Sequence, residues 1–362
     1  MTTAQRVRRA GVATAAALVI GGGGVAIGAA AADSSTPGTT AAAAATATPG
    51  PATSPGPAPA SYAGVVRQVL PSVVLIRTQN GLGSGVVLDR SGNIVTNAHV
   101  AGDATSFQVQ VAGDTAPRSA RLVGSYPPDD LAVIRVGNPA GLQPATFGDS
   151  DTVQAGDVVL AIGNPLGLSG SVTQGIISAT DRAVTEPSAD GSPAATLPGA
   201  IQTSAPINPG NSGGALVTTS GQVVGIPTLA AGSPQGGGQA QGIGFAIPSN
   251  LARDIATQII DTGHVTSSHR AALGAQVATV LGADGATGGV GVVAVTSGGG
   301  AERAGLRPGD VIKAVGGAPT PDATALTQAL AAAEPGDQVS VTISRDGQDR
   351  DVQVTLGELP GS

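Results

Sequence analysis

Several residue types are scarce in this chain of 362 residues, and each scarcity excludes a class of protein. There is no cysteine, which excludes structural disulfides and thiolate metal sites. With three phenylalanines, two tyrosines and no tryptophan, the hydrophobic cores must be built from valine, isoleucine, leucine and alanine. Lysine occurs once, at Lys313, and the net charge is −7. This thinly spread negative charge argues against a nucleic-acid-binding surface.

The first 60 residues are rich in alanine, glycine, threonine and proline, and they divide into three segments. A basic flank at 1–9 precedes an uncharged run at 10–32, the pattern of a membrane-targeting element whose N-terminus stays in the cytoplasm. We favour a single-pass membrane anchor, and a signal peptide removed near Ala30–Ala32 is the alternative. Residues 33–60 cannot bury enough surface to fold, which predicts an extended linker.

From Tyr62 onward, short β-branched runs alternate with turn signals, a pattern that predicts an all-β barrel or sandwich. The clearest predicted strands are Ser72–Ile76, Gly85–Leu88, Asn93–Thr96, Phe107–Val111, Leu131–Val136, Asp157–Ile162, Val223–Ile226 and Gly244–Pro248.

A helix is predicted after these strands, at Leu251–Asp261, with Ser249 or Asn250 as its cap and Gly263 at its end. A polar connection at 264–272 then leads into a second β-rich module. That module contains one helical pattern, at 322–333.

A serine lies among glycines in the stretch Asn208-Pro209-Gly210-Asn211-Ser212-Gly213-Gly214. Glycines permit the tight turn that exposes a nucleophilic hydroxyl. The backbone amides of Gly210 and Ser212, with Asn211, would then form an oxyanion hole. Taken alone, the stretch equally fits a hairpin loop without chemistry. A base and an orienting acid elsewhere in the chain would decide between the two interpretations.

The candidate base is His99, which follows a predicted strand. The other two histidines, His264 and His269, are predicted to be solvated in the polar connection. The candidate acid is Asp130, because burying a carboxylate beside an apolar strand is costly unless it is hydrogen-bonded, and orienting an imidazole would satisfy it. Asp129 is the competing acid. With the serine, the order His, Asp, Ser is one known order for a catalytic triad.

Six segments, in their order and spacing, resemble the HtrA-type (DegP-like) trypsin-fold serine endopeptidases. They are Thr96–Val100, Asp130–Ile134, Ile162–Gly167, Val172–Ala179, Ile201–Gly214 and Gly242–Pro248. Gly305–Ile312 resembles the turn and strand of a PDZ domain, which that family carries after its protease. The resemblance implies a mainly β chain, with two six-stranded, chymotrypsin-like β-barrels at 61–262 and a PDZ domain at 270–358.

The resemblance also assigns functional residues. It implies His99 as general base, Asp130 as its orienting acid and Ser212 as nucleophile. The implied substrate wall is Ile243, Gly244, Phe245 and Ala246, and the implied ligand loop of the PDZ domain is Ala272, Leu273, Gly274 and Ala275. Ala272 departs from the family pattern, which has an aromatic residue there. Because neither the substrate wall nor the segment 203–207 contains an acid, we expect small or medium aliphatic side chains at P1.

Three loops rich in glycine, serine and proline are predicted at 166–171, 183–199 and 228–242. In the resembled family, loops at such places order and disorder and thereby switch the oxyanion hole. Ordinary surface loops are the alternative.

The sequence therefore predicts a membrane-tethered, extracytoplasmic serine endopeptidase that acts on misfolded or exposed protein segments, or a secreted one if the N-terminal segment is removed. No cofactor and no metal are predicted. The expected partners are unfolded proteins, C-terminal peptides at the PDZ domain and the membrane, without nucleic acid. The resemblance implies a homotrimer. The alternatives are a chaperone or peptide-binding protein, and a regulatory protease with one dedicated membrane-protein substrate.

Overall fold

The computed structural model describes residues 61–79, 81–164, 171–186, 195–208, 210–232, 239–281 and 287–360. The predicted basic flank, membrane segment and linker lie outside these residues. Within the described part of the chain, no helix combines the length and the apolar character needed to cross a membrane. Residues 57–362 form one compact unit.

Six antiparallel strands close the first barrel. They are β1 (Val73–Arg77), β2 (Leu82–Val87), β3 (Asn93–Thr96), β4 (Ser106–Gln110), β5 (Arg118–Tyr126) and β6 (Leu131–Val136). Their order is β1-β2-β3-β6-β5-β4, and β1 pairs with β4 to complete the ring. Alternate side chains of the strands, such as Val74, Ile76 and Ile134, fill the interior. Two short helices, α1 (Tyr62–Val69) and α2 (Ala98–Ala101), precede and interrupt this barrel.

A second closed barrel follows, in the order β10-β11-β12-β9-β8-β7, with β10 paired to β7. Its strands are β7 (Val158–Gly163), β8 (Ser171–Glu186), β9 (Ala195–Thr203), β10 (Ala215–Thr218), β11 (Val223–Gly232) and β12 (Gln239–Pro248). The two six-stranded barrels confirm the predicted architecture.

Two loops were predicted at 183–199 and 228–242, and the prediction was wrong for their described residues, 183–186, 195–199, 228–232 and 239–242, which are strand. The rest of both ranges lies outside the described residues. The β8–β9 ladder extends to the pair Glu186↔Ala195, and the β11–β12 ladder extends to Gly232↔Gln239. The hydrogen bonds of a ladder are made by the backbone, so a composition poor in β-branched residues does not prevent them. The loop predicted at 166–171 lies outside the described residues except for Ser171, which begins β8.

The cores are aliphatic, as predicted from the scarcity of aromatics. Among the largest fully buried side chains that the structure describes, Tyr126 is the one aromatic, and the others are leucine and isoleucine. One apolar cluster joins the facing sides of both barrels, and includes Val86, Leu131, Ile162 and Val217. Because this cluster is shared, the barrels cannot separate without exposing apolar surface to water. The shared cluster therefore holds the two barrels together.

The helix α3 (Ser249–Thr262) begins two residues before its predicted start, and its N-cap is Pro248. The Ser249 hydroxyl does not cap the helix, because it donates to the Gly148 carbonyl 2.9 Å away. The predicted end holds, since Gly263 is left-handed (φ 84°) and its N–H donates to the Ile259 carbonyl.

The C-terminal module is a β-sheet covered by helix α5 (Ala323–Leu330). Its strands are β13 (Ala271–Ala272), β14 (Ala275–Leu281), β15 (Thr287–Val295), β16 (Val311–Val315), β17 (Ala318–Pro319), β18 (Gln338–Arg345), β19 (Gln348–Thr355) and β20 (Gly357–Glu358), with a short helix α4 (Gly300–Arg303). The main sheet has the order β14-β15-β16-β18-β19, with β17 paired to β16, while β13 and β20 pair with each other in a separate two-stranded sheet. Asp322 caps α5 by accepting from the Ala325 N–H at 2.8 Å. The helix ends three residues before its predicted end, shortly before Pro335.

Candidate active site

A histidine and an aspartate of the first barrel are in direct contact. His99 Nδ1 lies 3.0 and 2.9 Å from the two carboxylate oxygens of Asp130. The backbone N–H of His99 also donates to Asp130 Oδ1, at 2.9 Å. The imidazole is 30% exposed and the carboxylate 3%. The buried carboxylate therefore holds the Nδ1 edge of the ring, while part of the ring remains exposed.

The position of Asp130 depends on an unusual backbone. It ends a 3₁₀ turn in the left-handed region, with φ 51° and ψ 41°. Its carbonyl accepts from the Ala98 N–H at 3.0 Å and from Asn97 Nδ2 at 3.1 Å. These bonds tie the start of β6 to the residues just before His99, so the backbones of the acid and the base move together.

Thr228, on β11 of the second barrel, contacts both the acid and the serine. Its hydroxyl donates to Asp130 Oδ2, and its carbonyl accepts from Ser212 Oγ at 3.3 Å. Thr228 is buried. The sequence analysis missed this residue, because no local motif marks it. The available signal was a hydroxyl two residues after the apolar run Val223–Ile226, just past Pro227.

Replacing Thr228 with valine is expected to lower kcat about tenfold, because a charged carboxylate loses one of its donors. Replacing it with serine keeps the hydroxyl and should leave kcat within about threefold of the wild-type value. Steady-state hydrolysis of a peptide by both variants checks this. Equal losses in the two would contradict a role for the hydroxyl.

The turn that carries Ser212 is held by hydrogen bonds between two of its own residues, Asn208 and Asn211. The Asn211 N–H donates to the Asn208 carbonyl at 3.1 Å, and Asn211 Oδ1 accepts from the Asn208 N–H at 3.0 Å. Gly210 and Gly213 have φ of 109° and 78°, values that side chains rarely adopt. The N–H groups of Gly210 and Ser212 donate to no group among the residues that the structure describes. Two backbone donors are therefore available beside the serine hydroxyl.

The predicted substrate wall is strand β12, and only part of it faces solvent. Ile243 is 37% exposed, whereas Phe245 packs in the shared core and Ala246 lies inside the second barrel. A Cβ on Gly244 would lie 2.3 Å from the Ile207 side chain. Ile207 therefore occupies the space beside Gly244, and no acid stands at these positions.

The predicted ligand loop at 272–275 belongs to the C-terminal module and takes no part in the serine site. Its carbonyls face the residues before and in α4: the Leu273 carbonyl accepts from Ala301 at 2.7 Å and the Gly274 carbonyl from Thr296 at 2.8 Å. Because C=O and N–H of a trans peptide point in opposite directions, the N–H of Gly274 points away from α4. His264 and His269, predicted to be solvated, are exposed.

Asp129, the competing acid, points away from His99 and pairs with the C-terminal module instead. Its Oδ1 accepts from Arg270 Nη1 at 3.0 Å, and Arg270 also donates to the Pro128 carbonyl at 2.7 Å. Its Oδ2 is buried and has no hydrogen-bond partner in the described part of the chain. Burial raises the pKa of Asp129 from 3.8 to about 6, and the charge of Arg270 offsets part of this effect.

This raised pKa predicts a pH dependence of stability. The folded state keeps the proton of Asp129 at pH values where the unfolded chain has released it. The stabilising contribution is therefore complete below about pH 4 and lost as the pH rises through about 6. Relative to Asp129→Asn, the native chain should lose roughly 3 kcal/mol of unfolding free energy between these limits. Urea denaturation in a Ser212→Ala background, which prevents self-digestion, measures it. A difference between the two proteins that does not change with pH would refute the assignment.

Comparisons with known proteins match both parts of the fold, the two barrels and the module that follows them. Residues 83–226 match the family described as trypsin-like peptidase domain, and residues 271–356 match the PDZ domain. The chain is 41% identical over 319 residues to the serine protease PepD of Mycobacterium tuberculosis, covering 83% of this chain and 67% of PepD. It is 37% identical over 320 residues to the serine endoprotease DegS of Salmonella typhimurium, covering 84% and 88%.

Another relative is the periplasmic pH-dependent serine endoprotease DegQ of Escherichia coli, 35% identical over 342 residues, covering 85% of this chain and 72% of DegQ. A solved structure of the HtrA-type protease AlgW with a decapeptide is 34% identical, with a TM-score of 0.55, and the match covers 83% of this chain and 99% of that one. The barrels, the module after them and these identities agree: the chain belongs to the HtrA-type family of serine endoproteases, with a trypsin-like peptidase domain followed by a PDZ domain.

Proposed function

We propose that this protease cleaves misfolded or exposed protein segments through an acyl-enzyme, with Ser212 as nucleophile, His99 as general base and Asp130 as the orienting acid. The observation that carries the proposal is the double contact of His99 Nδ1 with the buried Asp130 carboxylate. It fixes the proton on Nδ1 and leaves Nε2 as the acceptor for a proton from the cleft.

In the first step, the Ser212 hydroxyl gives its proton to His99 Nε2 while Oγ bonds to the scissile carbonyl carbon. The carbonyl oxygen becomes an oxyanion, and the N–H groups of Gly210 and Ser212 donate to it. The C–N bond then breaks, and His99 returns the proton to the leaving amine. Water repeats the sequence on the acyl-enzyme, which releases the acid and restores Ser212. Asn211 supports this step by holding the turn, because its N–H is engaged by Asn208.

The PDZ domain is proposed to bind C-terminal peptides by strand addition. Strand β14 lies at the end of its sheet, and among the described strands only β15 pairs with it. An extended peptide would pair with that open edge, beside α5. Its carboxylate would meet the backbone amides of the loop Ala272–Ala275, where the Gly274 N–H points away from α4. Ala272, without an aromatic ring, leaves a wider space at this end.

The proposed location is extracytoplasmic, with residues 10–32 as a single-pass anchor or a removed signal. Support comes from the basic flank and uncharged run in the sequence, and from relatives such as DegQ, whose name places it in the periplasm. The proposed boundaries are 61–262 for the protease and 270–358 for the PDZ domain, and their support is that α3 ends at Thr262 and β13 starts at Ala271. A homotrimer is proposed from the family resemblance.

Hydrolysis of casein by the full-length chain in detergent tests the function, together with labelling by a fluorophosphonate probe. We expect label on Ser212 and cleavage of casein faster than of a folded protein. Without label, suppression of aggregation would favour the chaperone alternative. Label with cleavage confined to a defined membrane-protein loop would favour the regulatory protease. Adding C-terminal peptides to each assay tests whether the PDZ domain controls the site.

The preferred P1 residue is a separate prediction. Since Ile207 fills the space beside Gly244 and no acid lines β12, valine and alanine should exceed lysine and arginine by at least about 100-fold in kcat/KM. A peptide library that varies P1 measures this ratio. A preference for basic residues would refute the pocket assignment.

A further inference from the structure

A single buried hydroxyl links the turn of Ser212 to both barrels. Ser84, on β2 of the first barrel, is fully buried. Its Oγ donates to the Gly210 carbonyl at 2.6 Å and accepts from the Asn164 N–H, just after β7 of the second barrel, at 2.8 Å. The one hydroxyl proton is therefore committed to Gly210, and the direction of both bonds is fixed.

The backbone of Ser84 holds the other side of the same turn. Its N–H donates to the Ser212 carbonyl at 3.0 Å. Its carbonyl accepts from Thr96 Oγ1 at 2.6 Å, and it lies so close to Gly213 that a Cβ there would come within 2.3 Å. The turn is thus pressed against β2 and cannot shift as a whole.

These bonds determine which amides of the turn can reach a substrate. The peptide group between Gly210 and Asn211 is held at both ends, by Ser84 Oγ on its oxygen and by the Asn208 carbonyl on its N–H. The group between Ser212 and Gly213 is held by the Ser84 N–H and by the Pro227 carbonyl, which accepts from Gly213 at 2.9 Å. The N–H groups of Gly210 and Ser212 have no such partner among the described residues.

We propose that the Ser84 hydroxyl is a positioning residue for the oxyanion hole, an inference that rests on the proposed acyl-enzyme function. Without the hydroxyl, the Gly210 carbonyl and the Asn164 N–H lose their partners in a buried place. Glycine has no Cβ to resist rotation, so the Gly210–Asn211 peptide can turn until its carbonyl finds another donor. The Gly210 N–H belongs to the preceding peptide group, and the free φ of glycine lets that group turn as the released carbonyl moves. The Gly210 N–H is then no longer held in line with the developing oxyanion.

Replacing Ser84 with alanine should therefore lower kcat about 10- to 100-fold while KM stays within about twofold, as for a lost oxyanion donor. The affinity of a peptide boronate, whose tetrahedral adduct places an oxygen in the hole, should fall by the same factor as kcat/KM. A role limited to stability would move neither quantity. The wild-type chain is assayed in parallel. An inactive wild-type chain would contradict the proposed function, whereas a variant as active as wild type would contradict only the role of Ser84.

Ser249→Ala is the matched control, because Ser249 is also fully buried and its hydroxyl donates to a backbone carbonyl, that of Gly148. Both substitutions should lower Tm by similar amounts, and only Ser84→Ala should lower kcat and the affinity for the boronate. Equal kinetic losses in the two would overturn the proposal.

If Ser84→Ala does not fold, Ser84→Cys gives a weaker donor of similar shape, and no other cysteine exists in the chain to pair with it. It should show a smaller kcat loss, and failure of both Ser84 variants to fold would assign Ser84 to the core alone.

Discussion

Replacing Ser212 with alanine is expected to lower kcat for peptide hydrolysis by about 10⁵- to 10⁶-fold, because no acyl-enzyme can form. Oxyanion stabilisation and binding alone would leave a small residual rate above that of water. The turn should survive the change, since among the described residues the Ser212 side chain makes one hydrogen bond, a long one of 3.3 Å to the Thr228 carbonyl. KM for a peptide, or its Kd where turnover is too slow, should therefore change little. Single-turnover hydrolysis and fluorophosphonate labelling measure the loss.

Ser220→Ala is a suitable control for this experiment, because Ser220 is exposed at the turn after β10 and takes no part in the site. Its kcat should stay within about twofold of wild type. If Ser212→Ala kept more than about one part in a thousand of the activity, another nucleophile would have to be sought. Casein cleavage by that variant would then identify a mechanism different from the one proposed.

Replacing Asp130 with asparagine should lower kcat about 10⁴-fold near neutral pH. The carboxylate accepts from three donors: His99 Nδ1, the His99 N–H and the Thr228 hydroxyl. An amide has one oxygen, and its NH₂ group would face a donor. To avoid that clash, His99 would have to place its proton on Nε2, where it could no longer accept from Ser212.

Asp129→Asn supplies the matched control at the neighbouring residue. Asp129 pairs with Arg270 rather than with His99, so its loss should change kcat by less than about tenfold. The comparison also settles the choice between the two acids that the sequence left open. A larger kinetic loss at Asp129 than at Asp130 would contradict the arrangement derived from the structure.

The architecture could be predicted from the sequence because the patterns that indicate strands and turns are local. Short β-branched runs between turn residues predict many antiparallel strands, and both barrels have them. The glycines around Ser212 are likewise readable without a structure, because a turn with positive φ needs them. Where the local signal is weak, as in the hairpins β8–β9 and β11–β12, the prediction failed: pairing through the backbone leaves no mark on composition.

The contacts between distant residues could be read only from the tertiary structure. Ser84 precedes Gly210 by 126 positions, and Thr228 follows Asp130 by 98. Each is a common residue type in an unremarkable stretch, and its role comes from the packing of one barrel on the other. The same holds for Arg270, which reaches Asp129 from the second module.

By itself, then, the sequence determined the fold class, the order of the modules and the residue types of the candidate triad. Only the tertiary structure decided which aspartate meets His99, which amides remain open to an oxyanion and which hydroxyls hold the turn. The physical reason is that hydrophobic periodicity and glycine turns act over a few residues, whereas hydrogen bonds across a barrel interface join residues that are unrelated in sequence.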